Sequence, residues 1–362
     1  MSLLAVALAL WSAGFLLLGR LRRGSAAGAP GSASSVSVII PARNEQENLP
    51  TLLRSIASQP LKPLDIIVVD DGSTDGTAEL ARQFGAAVIA SQPLPAGWRG
   101  KTWACYQGAK AATGDLLLFL DADTWFEPDG LARVLAKFGG LVDATPLRLR
   151  VAAPLPGGAF SAGPHHAVRK PYENLSLFFN LNMNVGTVPQ GLFGQMLLVD
   201  RESYRRVGGH ESVKGRILEN FWLAKQFRIA GIPVRSERGQ GAFSFRMYPN
   251  GLGELVEGWT KGFASGAGQT PRGTLLVVVA WMTGLMLPLI GCLATGDWLR
   301  WSAVYLLCAA QVMWLGRLVG AFRWYTALLY PAPLLFFFAV FARSVMRSGK
   351  AVTWKGREIR AD

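Results

Sequence analysis

Three clusters of acidic and polar residues stand out in the 362-residue chain, each directly behind a short apolar run. They are Pro41-Ala42-Arg43-Asn44-Glu45, Asp70-Asp71-Gly72-Ser73-Thr74-Asp75-Gly76-Thr77 and Asp121-Ala122-Asp123-Thr124. Any one of them reads as an ordinary turn, since Asp, Gly and Ser are turn residues. Three in series, each at the end of a strand-length run, are expected to converge on one crevice. Asp121 and Asp123 would project to the same side of an extended segment, where side chains alternate with a period of two. Such a pair suits a hard divalent cation, which takes oxygen ligands and completes its shell with water and phosphate. An ion held there would bridge a diphosphate and neutralise charge developing on it as a leaving group. Nearby, Trp98-Arg99-Gly100-Lys101-Thr102 opens a helical pattern, where backbone N–H groups and a lysine can meet phosphate oxygens.

The elements that must position these clusters are legible as short apolar runs at 36–40, 66–69, 86–90 and 116–120. Between the first two, Leu49, Leu52, Leu53 and Ile56 recur at the spacing of one helical face, behind Asn48 and Pro50. Residues 101–112 and 131–138 read as further helices. Strand–helix alternation with apolar strands predicts an α/β fold whose mostly parallel sheet is covered on both faces. In such sheets ligands bind beyond the carboxyl ends of the strands, which is where the polar clusters fall. Residues 140–190 show no regular period and are left unassigned.

Half of the residues are hydrophobic and 17% charged, which excludes a disordered chain. The length suggests about two structural units. Three scattered cysteines, Cys105, Cys292 and Cys308, form neither a disulfide framework nor a zinc site. The last two lie in apolar runs, where a thiol behaves as a small core residue. A net charge of +13 raises the question of nucleic acid, and the position of the charge answers it. An apolar run over 3–18 is followed at once by Arg20, Arg22 and Arg23, the pattern of a signal anchor (1–20) rather than a cleaved leader. A flexible linker (21–35) leads into the main domain (36–250). Residues 251–272 are expected to form an interfacial helix with Trp259 and Phe263 at lipid-head depth, or equally a surface helix of the domain. A C-terminal bundle (273–345) follows, with two or three spans at 274–294, 301–320 and 325–342. The third span carries Pro331 and Pro333. Three full crossings would put the C-terminus outside. The tail (346–362), with Arg347, Lys350, Lys355, Arg357 and Arg360 behind Arg343, favours the cytosolic side, so one segment is expected not to cross, the Pro-containing one first. Beside membrane spans these charges point to anionic lipid head groups, not nucleic acid.

The segments VSVIIPARNEQENL, IIVVDDGSTDGT and GDLLLFLDADT resemble the inverting nucleotide-sugar glycosyltransferases of family 2. The resemblance covers roughly residues 36–230 and implies a GT-A fold. Gly97-Trp98-Arg99-Gly100-Lys101, the RMYPNG-to-EGWTKG region from Arg246 to Gly262 and Trp354-Lys355-Gly356-Arg357 resemble the membrane branch that glycosylates carotenoids, hopanoids and other terpenoid lipids. The resemblance implies that Pro41, Arg43, Glu45 and Asp71 hold the nucleoside, Asp71 accepting from the uracil N–H. It implies that Asp121 and Asp123 bind ribose, diphosphate and Mg2+ or Mn2+, with Asp123 the more direct metal ligand. Lys101 would meet the diphosphate, and Gly208-Gly209-His210 matches a loop beneath the donor sugar and acceptor. The implied partners are a nucleotide-sugar donor, a lipid acceptor and the bilayer, with the catalytic domain at the cytosolic face.

One position departs from the family. Where relatives carry a Glu-Asp pair whose Asp is the catalytic base, this chain has Glu219-Asn220. An amide cannot take a proton from an attacking hydroxyl. Three readings stand: Glu219 takes the role, the protein is inactive, or the acceptor needs no base. A carboxylic acid or a phosphate, such as a polyprenyl phosphate, is already anionic at neutral pH, and glycosyl-ester formation on a carotenoid acid is one activity in the resembled branch, which favours the third. A non-catalytic scaffold of the same fold is the class-different alternative. A processive polysaccharide synthase is disfavoured, because neither Leu255 to Trp259 nor Gln269-Thr270-Pro271-Arg272 completes its Gln-x-x-Arg-Trp motif. His165 and His166 are expected in a surface or acceptor loop rather than on a metal. Phe178, Phe179 and Met183 line an acceptor groove or belong to a core. Asn174-Leu175-Ser176 matches a glycosylation acceptor, by accident if the domain is cytosolic.

Overall fold

The computed structural model describes residues 2–22, 35–143, 157–189, 191–216, 218–346, 351–354 and 357–360. The linker expected at 21–35 lies almost wholly outside them, as do Arg347, Lys350 and Lys355 of the tail.

Four parallel strands form the heart of the sheet: β1 (Val36–Ala42), β2 (Asp65–Asp70), β3 (Ala87–Ala90) and β4 (Leu116–Leu120), in the order β3-β2-β1-β4. All four fall on the apolar runs, and β4 is buried along its whole length, as a strand covered on both faces must be. α1 (Leu3–Arg22) precedes this sheet. Between the strands lie α2 (Leu49–Ala57), α3 (Thr77–Gln83) and α4 (Gly100–Ala111), and α5 (Gly130–Asp143) follows β4. α2 has a proline in its first turn and buries Leu49, Leu52, Leu53 and Ile56. Each of these aliphatic side chains contributes about 1.5–3 kcal/mol when fully buried. α4 lies so close to the sheet that a Cβ on Gly108 would come within 2.4 Å of Ile39 Cγ2, which is why only glycine serves there.

The stretch 140–190, unassigned from sequence, holds β6 (Ala159–Gly163), β7 (His165–His166), a 3-10 turn (Pro171–Ser176) and α6 (Leu177–Thr187); residues 144–156 lie outside the described set. β8 (Met196–Asp200) then pairs antiparallel with β4 and with β6, and β6 pairs parallel with β9 (Val234–Arg238), completing seven strands. α7 (Arg201–Arg206) is capped by Asp200, whose carboxylate accepts from Ser203 N–H. α8 (Glu219–Ile229) joins α4 on one face of the sheet, while α2 and α5 cover the other. A small second sheet, β5 (Thr124–Phe126), β10 (Phe243–Phe245) and β7, flanks the carboxyl end of β4.

The third apolar cluster is the helical bundle. α9 (Leu252–Gln269) leads into α10 (Arg272–Thr295) and α11 (Trp298–Val319), both long and apolar enough to cross a membrane by length and composition. α9 is the helix expected there, but Trp259 does not face lipid heads. It is 6% exposed, stacks on Phe179 with ring centroids 4.8 Å apart and donates to Ser176 Oγ. α1 packs against α10 so closely that a Cβ on Gly284 would lie 2.7 Å from Trp11 N. Gln311 of α11 ties the three together, accepting from Trp281 Nε1 (2.7 Å) and donating to Trp11 O (3.1 Å). The last apolar stretch is not one helix. α12 (Trp324–Leu328) ends in a turn, and α13 (Pro331–Met346) begins at a proline, a residue suited to a helix start. At that turn the buried Tyr330 hydroxyl donates to Leu285 O, midway along α10. At the hairpin's two ends, Arg323 N–H donates to Asn174 Oδ1 and Ser344 Oγ donates to Thr260 O. The segment enters the bundle to half its depth and doubles back. Beyond it, β11 (Ala351–Trp354) and β12 (Arg357–Arg360) form an antiparallel hairpin.

Candidate active site

The carboxyl ends of β1 and β4 open on a cavity lined by Pro41, Lys101, Cys105, Phe119, Leu120, Asp121, Gly194, His210, Glu219 and Asn220. Lys101, in the first turn of α4, points Nζ at Asp121 Oδ1 (2.8 Å), Glu219 Oε1 (3.0 Å) and Gly194 O (2.9 Å). Gly194 O accepts a hydrogen bond from the ammonium, and the two carboxylates are its ion-pair partners. Glu219 and Asn220 open α8 behind Leu218, whose left-handed backbone (φ 56°) turns the chain into the helix. Both are buried, at 8% and 4% exposure.

The segment Phe193–Gln195, just ahead of β8, presents three successive carbonyls to this site. Phe193 O accepts from Asn220 Nδ2 (2.7 Å), Gly194 O from Lys101 Nζ, and Gln195 O from Asp121 N–H (3.0 Å). Sequence reasoning missed this bracket, because main-chain acceptors leave no residue-type signature. His210 sits in a 3-10 turn (Gly209–Val213) behind Gly208 at φ 74°. The Tyr204 hydroxyl accepts from His210 N–H (3.1 Å) and lies 2.8 Å from Nδ1. Gly209 itself holds φ 49° against the Tyr204 ring, leaving no room for a side chain.

Charge in the cavity is set by burial and by Lys101. Burial raises the Glu219 carboxyl, but the Lys101 ammonium and His210 outweigh it and hold the group below its ordinary value. Asp121 ends above its ordinary value: burial raises it, Lys101 offsets only part, and the charges of Glu219 and Glu45 add to the rise. Burial brings His210 down to about 4, against the pull of Glu219, so its ring is neutral at pH 7. The Cys105 thiol is pushed well up by burial and is no thiolate.

Arg43, Glu45, Asp71 and Asp123 are not on the wall of this cavity. Arg43 Nη1 donates to Asp71 O (2.6 Å), Glu45 N–H donates to Thr77 Oγ1 (2.8 Å) and Thr74 N–H donates to Asn44 Oδ1 (2.8 Å). These bonds clasp the loops after β1 and β2 together. The alternation expected for Asp121 and Asp123 does not hold, because β4 ends at Leu120 and residues 121–123 turn into β5. Asp121 joins the Lys101 cluster. Asp123 lies beyond the turn, its carbonyl accepting from Arg246 N–H (3.3 Å). Among the described residues no three His, Cys, Asp or Glu side chains could hold a metal ion alone. The donors available are carboxylate oxygens, which fit Mg2+ or Mn2+ drawing the rest of its shell from a diphosphate.

Several further residues fall into structural places. His166 is neither at the surface nor in an acceptor loop. It is fully buried, its Nδ1 lies 2.8 Å from Asn180 Nδ2, and burial takes it down to about 3. Phe178 and Phe179 belong to the bundle core. Asn174 is 5% exposed and its Oδ1 accepts from Arg323 N–H and Thr326 Oγ1, so its glycosylation pattern is accidental.

Residues 37–207 match the model for Glycosyl transferase family 2. The chain is 33% identical over 345 residues to a 4,4'-diaponeurosporenoate glycosyltransferase of Staphylococcus aureus (strain USA300), covering 90% of this chain and 88% of the relative. The protein of the same name from strain MRSA252 aligns with the same identity and coverage. Among solved structures, mannosyltransferase PcManGT from Pyrobaculum calidifontis, in complex with GDP-Man and Mn2+, superposes with a TM-score of 0.55 at 19% identity. That match covers 94% of this chain and 99% of that one, and it shows a shared fold.

Proposed function

The chain belongs to glycosyl transferase family 2 and has a GT-A fold, and from that premise we propose that it glycosylates the carboxylate of a membrane-held terpenoid acid. The donor in this reading is UDP-glucose-like. The supporting observation is the state of the Glu219-Asn220 pair. Asn220 is an amide tied through Nδ2 to Phe193 O, and Glu219 is held as an anion of depressed pKa by Lys101. The amide takes no proton from an alcohol, and the Lys101 ion pair makes the Glu219 carboxylate a weakened base. A carboxylic acid arrives deprotonated at neutral pH and needs no base. The S. aureus relative is named for such a substrate, diaponeurosporenoate.

In this mechanism a carboxylate oxygen of the acceptor attacks the anomeric carbon. The bond from that carbon to the diphosphate breaks with the electron pair leaving on the nucleotide, so the configuration inverts. Asp123, with Asp121, would hold Mg2+ or Mn2+, which supplies charge neutralisation to the leaving diphosphate. Lys101 adds its charge at the same place, and Pro41, Arg43, Glu45 and Asp71 frame the nucleoside. The Gly209-His210 turn forms the floor beneath the sugar.

The same reading places the domain on the cytosolic leaflet. α1, α10 and α11 cross, and α12–α13 enters and returns, which leaves the basic tail beside the domain. That removes the conflict between three full crossings and the tail's positive charge.

Membranes holding the full chain, supplied with UDP-glucose and Mn2+, test the reaction with a long-chain polyene acid and the matching alcohol. The expected product is an alkali-labile ester from the acid, with the alcohol at least about tenfold slower, and Asn220→Asp narrowing that gap. Equal rates on acid and alcohol in the wild type sink the carboxylate reading.

A further inference from the structure

Two buried amide oxygens, one on the wall of the Lys101 cavity and one on the same face of the sheet as Asp121, have no hydrogen-bond donor. They are Asn220 Oδ1 and Gln195 Oε1. Asn220 is 4% exposed and lines the cavity, and its Nδ2 is already committed to Phe193 O, so its orientation is fixed with the oxygen left over. Gln195 does not line the cavity wall, but register brings it next to Asp121 on the adjoining strand. β4 and β8 pair Phe119 with Leu197 and Leu120 with Met196, and the next step opposes Asp121 to Gln195, joined by Asp121 N–H to Gln195 O. Directly opposed residues of an antiparallel ladder stand on the same face, so Gln195 shares the face of Asp121. A buried acceptor without a donor is costly and calls for a partner that brings one. Lys101 is not that partner, because its Nζ donates to Gly194 O and is ion-paired with Asp121 and Glu219.

We infer that Asn220 Oδ1 and Gln195 Oε1 read the hydroxyl groups of the donor sugar and select a neutral hexose. The inference rests on the glycosyl-transfer reading above and deepens it. Both groups only accept, and the carboxylates of Asp121 and Glu219 stand beside them. A sugar O–H satisfies such a wall. A uronate carboxylate has no proton to offer it and is repelled. A site built to hydrogen-bond a hydroxyl rejects an analogue that lacks it, because the site's own polar group is then left buried and unpaired.

Equilibrium binding to the detergent-solubilised full chain with Mn2+ tests this without an acceptor. The ligands are UDP, UDP-glucose, its 2-, 3-, 4- and 6-deoxy analogues, and UDP-glucuronate. At least one deoxy analogue is expected to bind about tenfold to a hundredfold more weakly than UDP-glucose, and UDP-glucuronate no more tightly than UDP. Gln195→Met and Asn220→Leu keep side-chain size while removing the oxygen. In these variants the deoxy penalty should shrink below about threefold while UDP binding holds. Because Asn220→Leu also cuts the bond to Phe193 O, Gln195→Met is the cleaner variant. Equal binding of every deoxy analogue by the wild type, or a full penalty retained in both variants, overturns the inference while leaving glycosyl transfer intact. A wild-type chain that binds no UDP overturns the glycosyl-transfer reading and this inference with it.

Discussion

Lys101 is the side chain on which the site's charge balance turns. With it in place, Asp121 and Glu219 share one cation within 3.0 Å; without it, two buried carboxylates face each other. Lys101→Met is therefore expected to lower donor turnover at least about a hundredfold and stability by about 2 kcal/mol, less than a fully buried pair would lose because the lysine is partly solvated. UDP release and urea unfolding measure the two effects. Glu219 also gives the site an acid limit. Its folded pKa lies below the ordinary 4.5, so its contribution to stability is present above pH 4.5 and is lost as pH falls through the depressed value. Thermal unfolding of the wild type should weaken through that window, and Glu219→Gln should flatten the slope there. Asp121, whose pKa is raised, works in the opposite sense, which is why the comparison is made against the Glu219 variant.

At the scale of elements, the strap Arg169–Ser176 fixes Arg246, whose main-chain N–H bonds the Asp123 carbonyl. Glu173 is fully buried; one oxygen accepts from Arg246 Nε (3.0 Å) and Nη2 (2.7 Å), and the other accepts from the N–H groups of Arg169 and Lys170. Burial would raise its pKa, but these bonds outweigh it and leave the group ionised. Arg246 in turn donates its N–H to Asp123 O. Glu173→Gln should raise the Mn2+ concentration for half-maximal UDP release by about tenfold, with the donor KM at saturating Mn2+ nearly unchanged. Little of this strap was legible beforehand. The four central strands were, because a strand buried on both faces writes itself as an apolar run. Asp121 and Asp123 were found by type, yet their arrangement was misread, since nothing in DAD announces that the strand stops one residue earlier. Glu219 and Asn220 were visible only through a family motif, and Phe193–Gln195 was invisible because its contribution is carbonyl oxygen. His166, expected in a surface or acceptor loop, proved fully buried, and Phe179, read as groove or core, proved to be core, both decided by contacts far away in sequence.

For the whole molecule, the topology is the feature with the clearest test. The turn between α10 and α11 at Gly296–Asp297 lies at the end of the bundle remote from the domain, and α13 ends beside Thr260. In a chain whose three native cysteines are replaced, D297C should react with an impermeant maleimide added to intact cells, and a cysteine in place of Met346 only after lysis. Labelling of both positions from outside would make the last segment a true crossing. The bundle is braced to the domain at several points. Arg238 reaches the carbonyls of Leu21 and Leu318 at two helix ends, and Gln240 Nε2 donates to Arg317 O (3.0 Å). α6 matters most in this respect. Leu177, Phe178, Phe179, Leu181 and Val185 are buried in the bundle's own core, and the chain leaving that helix runs within a few residues into the carbonyls of Phe193, Gly194 and Gln195. In the proposed reading the Phe193–Gln195 bracket is thus hung from the membrane-embedded helices, and a domain cut free of them is expected to lose donor binding. On that proposal, lateral pressure and hydrophobic thickness of the surrounding lipid have a mechanical path to the sugar-binding chemistry.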